Sequence, residues 1–255
     1  MSIKENIKER LKDSLREKFK KYKPEADYKP FHIHLLGKDR LALFSFIHSL
    51  NTSFGTTIFE PVAEMLAQSQ FDEVKRQKKL GNQISRDAQN EIQNIIDLLL
   101  TGNKNPNKKE ELKHVLKCSQ SGEITQTKAT QVDLFLRKGN EVYFIDLKSP
   151  KPNIGEVKGF KRTLLTWAAM YALENPTAKI HTLLALPYNP NHPKEYERWT
   201  FKGMLDLKEE LKVAEEFWDF LGGAGSYQML LQSFEEVGKE MRQEIDDYFA
   251  MFQTH

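Results

Sequence analysis

The sequence predicts a mixed α/β (α+β) fold: a central mixed β-sheet, built from one hairpin and one parallel strand and flanked by helices, with helix-rich N- and C-terminal parts. Three observations predict it. Two β-prone runs, Gln131 to Arg137 and Val142 to Leu147, flank Gly139-Asn140, a two-residue turn of the kind that favours positive φ and closes hairpins. A helical stretch from about Glu156 to Glu174 then leads to the β-prone Lys179 to Leu186, so the strand–helix–strand crossover should be right-handed and parallel. Apolar residues recur at helical spacing on both sides of this centre.

Ile3, Ile7, Leu11, Leu15 and Phe19 recur every four residues among charges, a narrow apolar stripe on a first helix that ends before Pro24. Leu41 to Leu50 reads as a buried helix, which Thr52-Ser53 and Gly55 interrupt before another near Ile58 to Ala67. Residues 82 to 100 give the clearest amphipathic helix, with Ile84, Ala88, Ile92, Ile96 and Leu99 on one side, and 101–109 is a loop. After the hairpin come a loop with two prolines, Ser149 to Gly155, and a helix with divided faces. Phe160, Leu164, Ala168 and Tyr171 share one face, whereas Lys158, Lys161 and Arg162 cluster on another. The C-terminal third is mainly helical and broken at Gly222-Gly223-Ala224-Gly225.

A chain of 255 residues can bury a sizeable core, and its single cysteine, Cys118, excludes an internal disulfide and Cys-rich metal frameworks. No apolar stretch approaches a membrane span, and the basic start lacks the apolar core of a signal peptide, so a soluble, cytoplasmic protein is expected. Net charge is only +2, yet it is unevenly spread: 12 Lys/Arg against 7 Asp/Glu in residues 1–40, 5 against 1 in 148–162, and 4 against 12 in 203–255. A polyanion would therefore be gripped around the basic middle.

If Gly139 and Asn140 form the loop, paired hairpin positions sum to 279, which sets Asp133 opposite Asp146. At an effective dielectric of about 20, two charges about 4 Å apart repel by roughly 4 kcal/mol, so something must neutralise the pair. A hard divalent cation would, since Mg²⁺ takes one or two carboxylates and leaves its other positions to water and phosphate. Lys148, two residues past Asp146, returns to the same face. A one-residue slip would scatter all three groups.

The same chain holds a control. Asp206-Leu207-Lys208 repeats the Asp-x-Lys triplet, but Asp206 reads as an N-cap with Glu209 three residues later, ahead of an amphipathic helix, and no partner strand supports it. Glu60 is the candidate third acid, with Glu64 one turn on; a glutamate near a helix N-terminus is favoured by the dipole regardless of function, and which of the two serves stays open. His32 and His34 have no further ligand nearby and read as structural or surface residues. There is no Walker A loop, GxGxxG or GxSxG.

Val132-Asp133, followed thirteen positions later by Asp146-Leu147-Lys148, resembles the core of the PD-(D/E)xK nucleases, with valine where that pattern has proline. Glu60 is similar to the upstream acid of many members, and the likeness covers about 55 to 190. The segments around DLKSPKPN and EFWDFLGGAGSYQMLLQSFEEVG resemble the TdeIII group of type II restriction endonucleases. This implies a restriction-endonuclease-like core and Mg²⁺-dependent cleavage of double-stranded DNA at a short palindrome of the GGNCC kind. Asp133, Asp146, the Leu147 carbonyl and Glu60 would hold metal, and Lys148 would act on the attacking water.

A single domain is expected, with an N-terminal helical segment (1–54), a catalytic core (55–190) and a helical recognition and dimerisation part (191–255). Phosphate contacts are expected from Lys151, Asn153, Lys158, Lys161 and Arg162, and base contacts from Asn191, Arg198 and Lys202. A palindromic target suits a homodimer, and a restriction enzyme implies a cognate DNA methyltransferase. Two other readings compete: a repair or recombination nuclease of the same superfamily, and a non-catalytic DNA-binding module on the same fold.

Overall fold

The computed structural model describes residues 1–22, 29–197 and 201–251. In chain order the elements are α1 (Ile3–Lys21), α2 (Pro30–Leu36), α3 (Lys38–Phe54), a π-turn (Gly55–Phe59), α4 (Glu60–Ala67), β1 (Glu73–Lys79), β2 (Gln83–Ser85), α5 (Arg86–Leu100), α6 (Lys108–Ser119), β3 (Ile124–Gln126), β4 (Gln131–Lys138) and β5 (Glu141–Leu147). They continue with α7 (Ile154–Glu174), β6 (Lys179–Leu186), α8 (Leu207–Glu210), β7 (Leu211–Val213), α9 (Glu215–Gly222), α10 (Ser226–Glu240) and α11 (Arg242–Ala250). They group into two compact units, residues 66–224 and residues 1–65 with 225–255.

The larger unit is built on the expected hairpin. Gly139 takes φ +57°, a conformation that glycine adopts without the steric penalty of a Cβ. The β4–β5 ladder runs from Lys138↔Glu141 to Leu134↔Ile145, each pair in the 279 register. β5 pairs in parallel with β6 across α7, giving a five-stranded mixed sheet of order β1-β4-β5-β6-β7; β2 and β3 form a separate ribbon. Side-chain alternation then makes two faces. Phe135 and Phe144 pack on Tyr171 of α7, with centroids 6.0 and 5.2 Å away, while Tyr143 meets Phe220 of α9 on the opposite face at 5.3 Å. The sheet is thus flanked by helices on both sides, the architecture the sequence predicts.

Several expectations are corrected. Residues 82 to 100 are not helical throughout: Gln83–Ser85 form β2, and α5 starts only after Ser85, whose hydroxyl accepts from Ala88 N–H at 3.0 Å as an N-cap. Thr52, Ser53 and Gly55 do not end α3; a π-turn carries the backbone into α4, with Glu60 N–H bonding Gly55 C=O. Asp206 does cap a helix, but that helix stops at Glu210 and the next three residues become edge strand β7. The break at Gly222–Gly225 falls as expected, between α9 and α10.

In the smaller unit, the charge asymmetry finds its reason. Basic α1 lies along acidic α10: Lys4 and Lys8 reach Glu236 at 2.6 and 3.0 Å, Lys8 and Lys12 reach Glu240 at 2.6 and 2.7 Å, and Arg16 reaches Glu244 of α11 at 2.7 Å. Lys12, then Lys8, hold the Glu240 carboxyl down at about 2. The excess positive charge of the first helix is therefore matched within its own unit. Phe19 of α1, Phe46 and Tyr248 cluster in this unit, the Phe19 and Tyr248 rings stacked with centroids 4.3 Å apart and Phe46 tilted against Tyr248.

Candidate active site

Because β4 and β5 hold the expected register, Asp133 and Asp146 emerge together where the ladder ends. The Asp133 carboxylate closes that end: its Oδ2 accepts from Leu147 N–H at 3.0 Å. Lys148, beyond the end of β5, is held in place by its own N–H, which donates to Ala185 C=O at 3.0 Å. Its Nζ lies 2.5 Å from Asp146 Oδ1 and 3.8 Å from Asp133 Oδ2. The three groups form one cluster beside the ring of Phe160, whose centroid is 5.5 Å from Lys148 Nζ.

Asp146 is 4% exposed, while Asp133 and Lys148 are half-buried. Burial pushes the Asp146 carboxyl up to about 7; Lys148 opposes the rise and the Asp133 charge adds to it. With both carboxyls ionised, the two carboxylates and one ammonium leave a net charge of −1, which a divalent cation would complement. The donor set is oxygen-only, as Mg²⁺ requires, so the residues fit that ion. Among the described residues no three His, Cys, Asp or Glu side chains converge as a metal cluster. A residue outside the sequence-based set also reaches the cluster: Gln77 of β1 donates from Nε2 to Asp133 Oδ1 at 3.4 Å.

The remaining expected residues divide. Glu60 opens α4 and is buried, with Glu64 one turn on, both in the smaller unit. Lys151, Asn153 and Lys158 are exposed around the N-terminus of α7, where Asn153 is the N-cap and its N–H donates to Glu156 at 2.6 Å. Arg162 is half-buried and bonds Gln93 at 2.7 Å. Lys161 is a correction. It is fully buried, pairing with Glu111 of α6 and, at 2.6 Å, with Glu210 of α8, so its ammonium does not face phosphate. Asn191 is half-buried, its N–H and side chain bonding Asn189 and Glu197, and exposed Lys202 pairs with Glu197 at 2.7 Å. Arg198 lies outside the described residues. The Asp206 triplet is confirmed as a capping element: Asp206 accepts from Lys208 N–H at 3.3 Å.

Comparison with known proteins gives the class, that of the type II restriction endonucleases. The family model described as "Type II restriction endonuclease, HinfI" matches residues 1–238, and the chain belongs to that family. The chain is 28% identical over 224 residues to the type II restriction enzyme MjaII of Methanocaldococcus jannaschii, covering 83% of this chain but only 59% of that enzyme's length. It is 28% identical over 228 residues to the type II restriction enzyme HgiCII of Herpetosiphon aurantiacus, and 27% to HgiEI of the same organism, each covering 87% of this chain and 81% of the relative. No helix among the described residues is long and apolar enough to cross a membrane.

Proposed function

We propose that the protein is a Mg²⁺-dependent type II site-specific deoxyribonuclease that hydrolyses both strands of double-stranded DNA at a short palindromic site, of the GGNCC kind if the TdeIII likeness extends to specificity. The observation that carries this reading is the cluster of Asp133, Asp146 and Lys148 at the open end of a hairpin in a chain of the HinfI family. Asp133, Asp146 and the Leu147 carbonyl would hold the ion; Glu60, in the smaller unit, is the upstream acid that the PD-(D/E)xK likeness implies. When bound, Mg²⁺ polarises the phosphate and lowers the pKa of a coordinated water.

The chain's own groups supply the rest. Lys148, a compact charge between two carboxylates, would orient the attacking water and offset the charge that develops on the phosphate oxygens. Lys151, Asn153, Lys158 and Arg162 would contact the backbone near this end of the sheet, while Asn191, Arg198 and Lys202 would address base edges. A homodimer would set one site on each strand. It is supported by Phe31, Leu35 and Phe44, large apolar residues of α2 and α3 that are 85, 82 and 66% exposed. The protein would act in the cytoplasm beside a cognate DNA methyltransferase.

The test is digestion of plasmid DNA. Discrete fragments in Mg²⁺, none in EDTA, and identical ends on sequencing are expected. Smearing, or cleavage confined to branched substrates, would assign the site to a repair nuclease instead.

A further inference from the structure

Gln77 has a backbone conformation that its position in a strand does not call for. Its φ is +50°, and Gln77 and Ala214 are the non-glycine residues with positive φ among those described. The β1–β4 ladder keeps one register on both sides, Arg76↔Leu134 and Lys78↔Val132, and the pairing skips where Gln77 faces Asp133. No residue has been inserted, so this is not a bulge. A left-handed residue in mid-strand persists only where its surroundings hold it, and such residues gather at functional sites.

The side chain shows what the kink achieves. Gln77 Oε1 accepts from Gln131 Nε2 at 2.5 Å, which orients the amide, and Gln77 Nε2 donates to Asp133 Oδ1 at 3.4 Å. Asp133 Oδ2 is held separately by Leu147 N–H. The two oxygens are therefore fixed from two strands, and the plane of the carboxylate is set. The next residue, Lys78, lies over the Phe135 ring with Nζ 3.3 Å from its centroid. Phe135 and Asp133 share one face of β4, so the kink lets consecutive residues of β1 address that face, against strict alternation.

We propose that Gln77 is a positioning residue for the cation site: its amide, delivered by the left-handed turn in β1, fixes the Asp133 carboxylate in the orientation that ligates the metal. The inference rests on the proposed nuclease reading and adds to it an outer partner of the kind that orients metal ligands, whose loss costs about 10- to 100-fold in metal affinity.

The experiment titrates Ca²⁺ into metal-free protein by calorimetry and records thermal midpoints in EDTA, for the natural chain, Gln77→Gly, Gln77→Met, Asp133→Ala and Asp146→Ala. Gln77→Gly relieves the backbone and Gln77→Met keeps it; both remove the amide. Each should bind Ca²⁺ at least about tenfold more weakly. The EDTA midpoint of Gln77→Gly should stay level or rise, and saturating Mg²⁺ should restore kcat. Natural affinity in Gln77→Met, or an EDTA midpoint of Gln77→Gly lowered in step with its affinity, would overturn the proposal by making the residue merely structural. Unchanged Ca²⁺ binding in Asp133→Ala and Asp146→Ala would instead remove the cation site itself, and the proposal with it.

Discussion

Substitution of Lys161 by methionine isolates the energetics of the buried charge cluster. Lys108, Lys161, Glu111 and Glu210 form a neutral group sealed among α6, α7 and α8, all 5% exposed or less. Desolvation lowers the Lys108 ammonium, while Lys108 and Lys161 together outweigh burial and hold the Glu210 carboxyl down. Lys161→Met keeps the volume and leaves one uncompensated negative charge in the interior, a change that costs about 3–5 kcal/mol. For a unit of this size each kcal/mol lowers the thermal midpoint by about 2–4 °C, so a fall of roughly 6–20 °C is expected by circular dichroism. The double variant Lys161→Met/Glu111→Gln restores neutrality and should recover at least half of the loss. A fall of less than about 3 °C in the single variant, on that same scale, would refute the reasoning. So would a double variant no more stable than the single one. The slope of DNA affinity against salt should be unchanged in both.

Further outcomes follow from the site. Lys148→Ala should lower cleavage by roughly 10²–10³-fold while DNA binding in Ca²⁺ persists, measured by plasmid digestion beside gel shift; full activity would remove the lysine from the chemistry. The raised Asp146 carboxyl contributes stability that is complete below the ordinary value of 3.8 and is lost as pH climbs through about 7. Metal-free protein should therefore be more stable at pH 5 than at pH 8, by roughly 2–4 kcal/mol from this group, and Asp146→Asn should flatten the difference in urea titrations. Protons compete with the cation at the same carboxylate, so Ca²⁺ affinity should weaken below about pH 7 in calorimetry. Replacing exposed Lys158 by alanine should reduce the log–log salt slope of binding by about 1, and an unaltered slope would detach that surface from DNA.

The site was legible because its information is local. One turn type fixes the hairpin register, the register fixes which acids meet, and alternation brings Lys148 to the same side; none of these steps needs a distant residue. β6 and α7 were legible for the same reason. Strand β1 was not. Its sequence, EVKRQKK, has no apolar alternation because it is an edge strand, and charge on an edge discourages pairing with another chain. Strand β7 is three residues inside a stretch with helical periodicity, at the other edge. Lys161 misled for the opposite reason: with Lys158 and Arg162 it makes a basic face by spacing, but the acids that bury it lie about 50 residues away on either side, at 111 and 210. Gln77 carried no signal, since nothing in a glutamine's neighbours announces positive φ.

The widened turn at Gly55–Phe59 makes the aim of the helix after it depend on chain length. Each residue of an α-helix advances about 100° around the axis, so excising one residue would mend the backbone ladder and swing Glu60 and Glu64 about a quarter-turn away from their present bearing. Arg10 Nε, which donates to Thr57 C=O at 3.1 Å, and Thr57 Oγ1, which bonds Ser53 C=O at 2.9 Å, brace the wider coil. Both acids would thus change bearing with every side chain intact, and in this stretch a deletion would shift more than most substitutions.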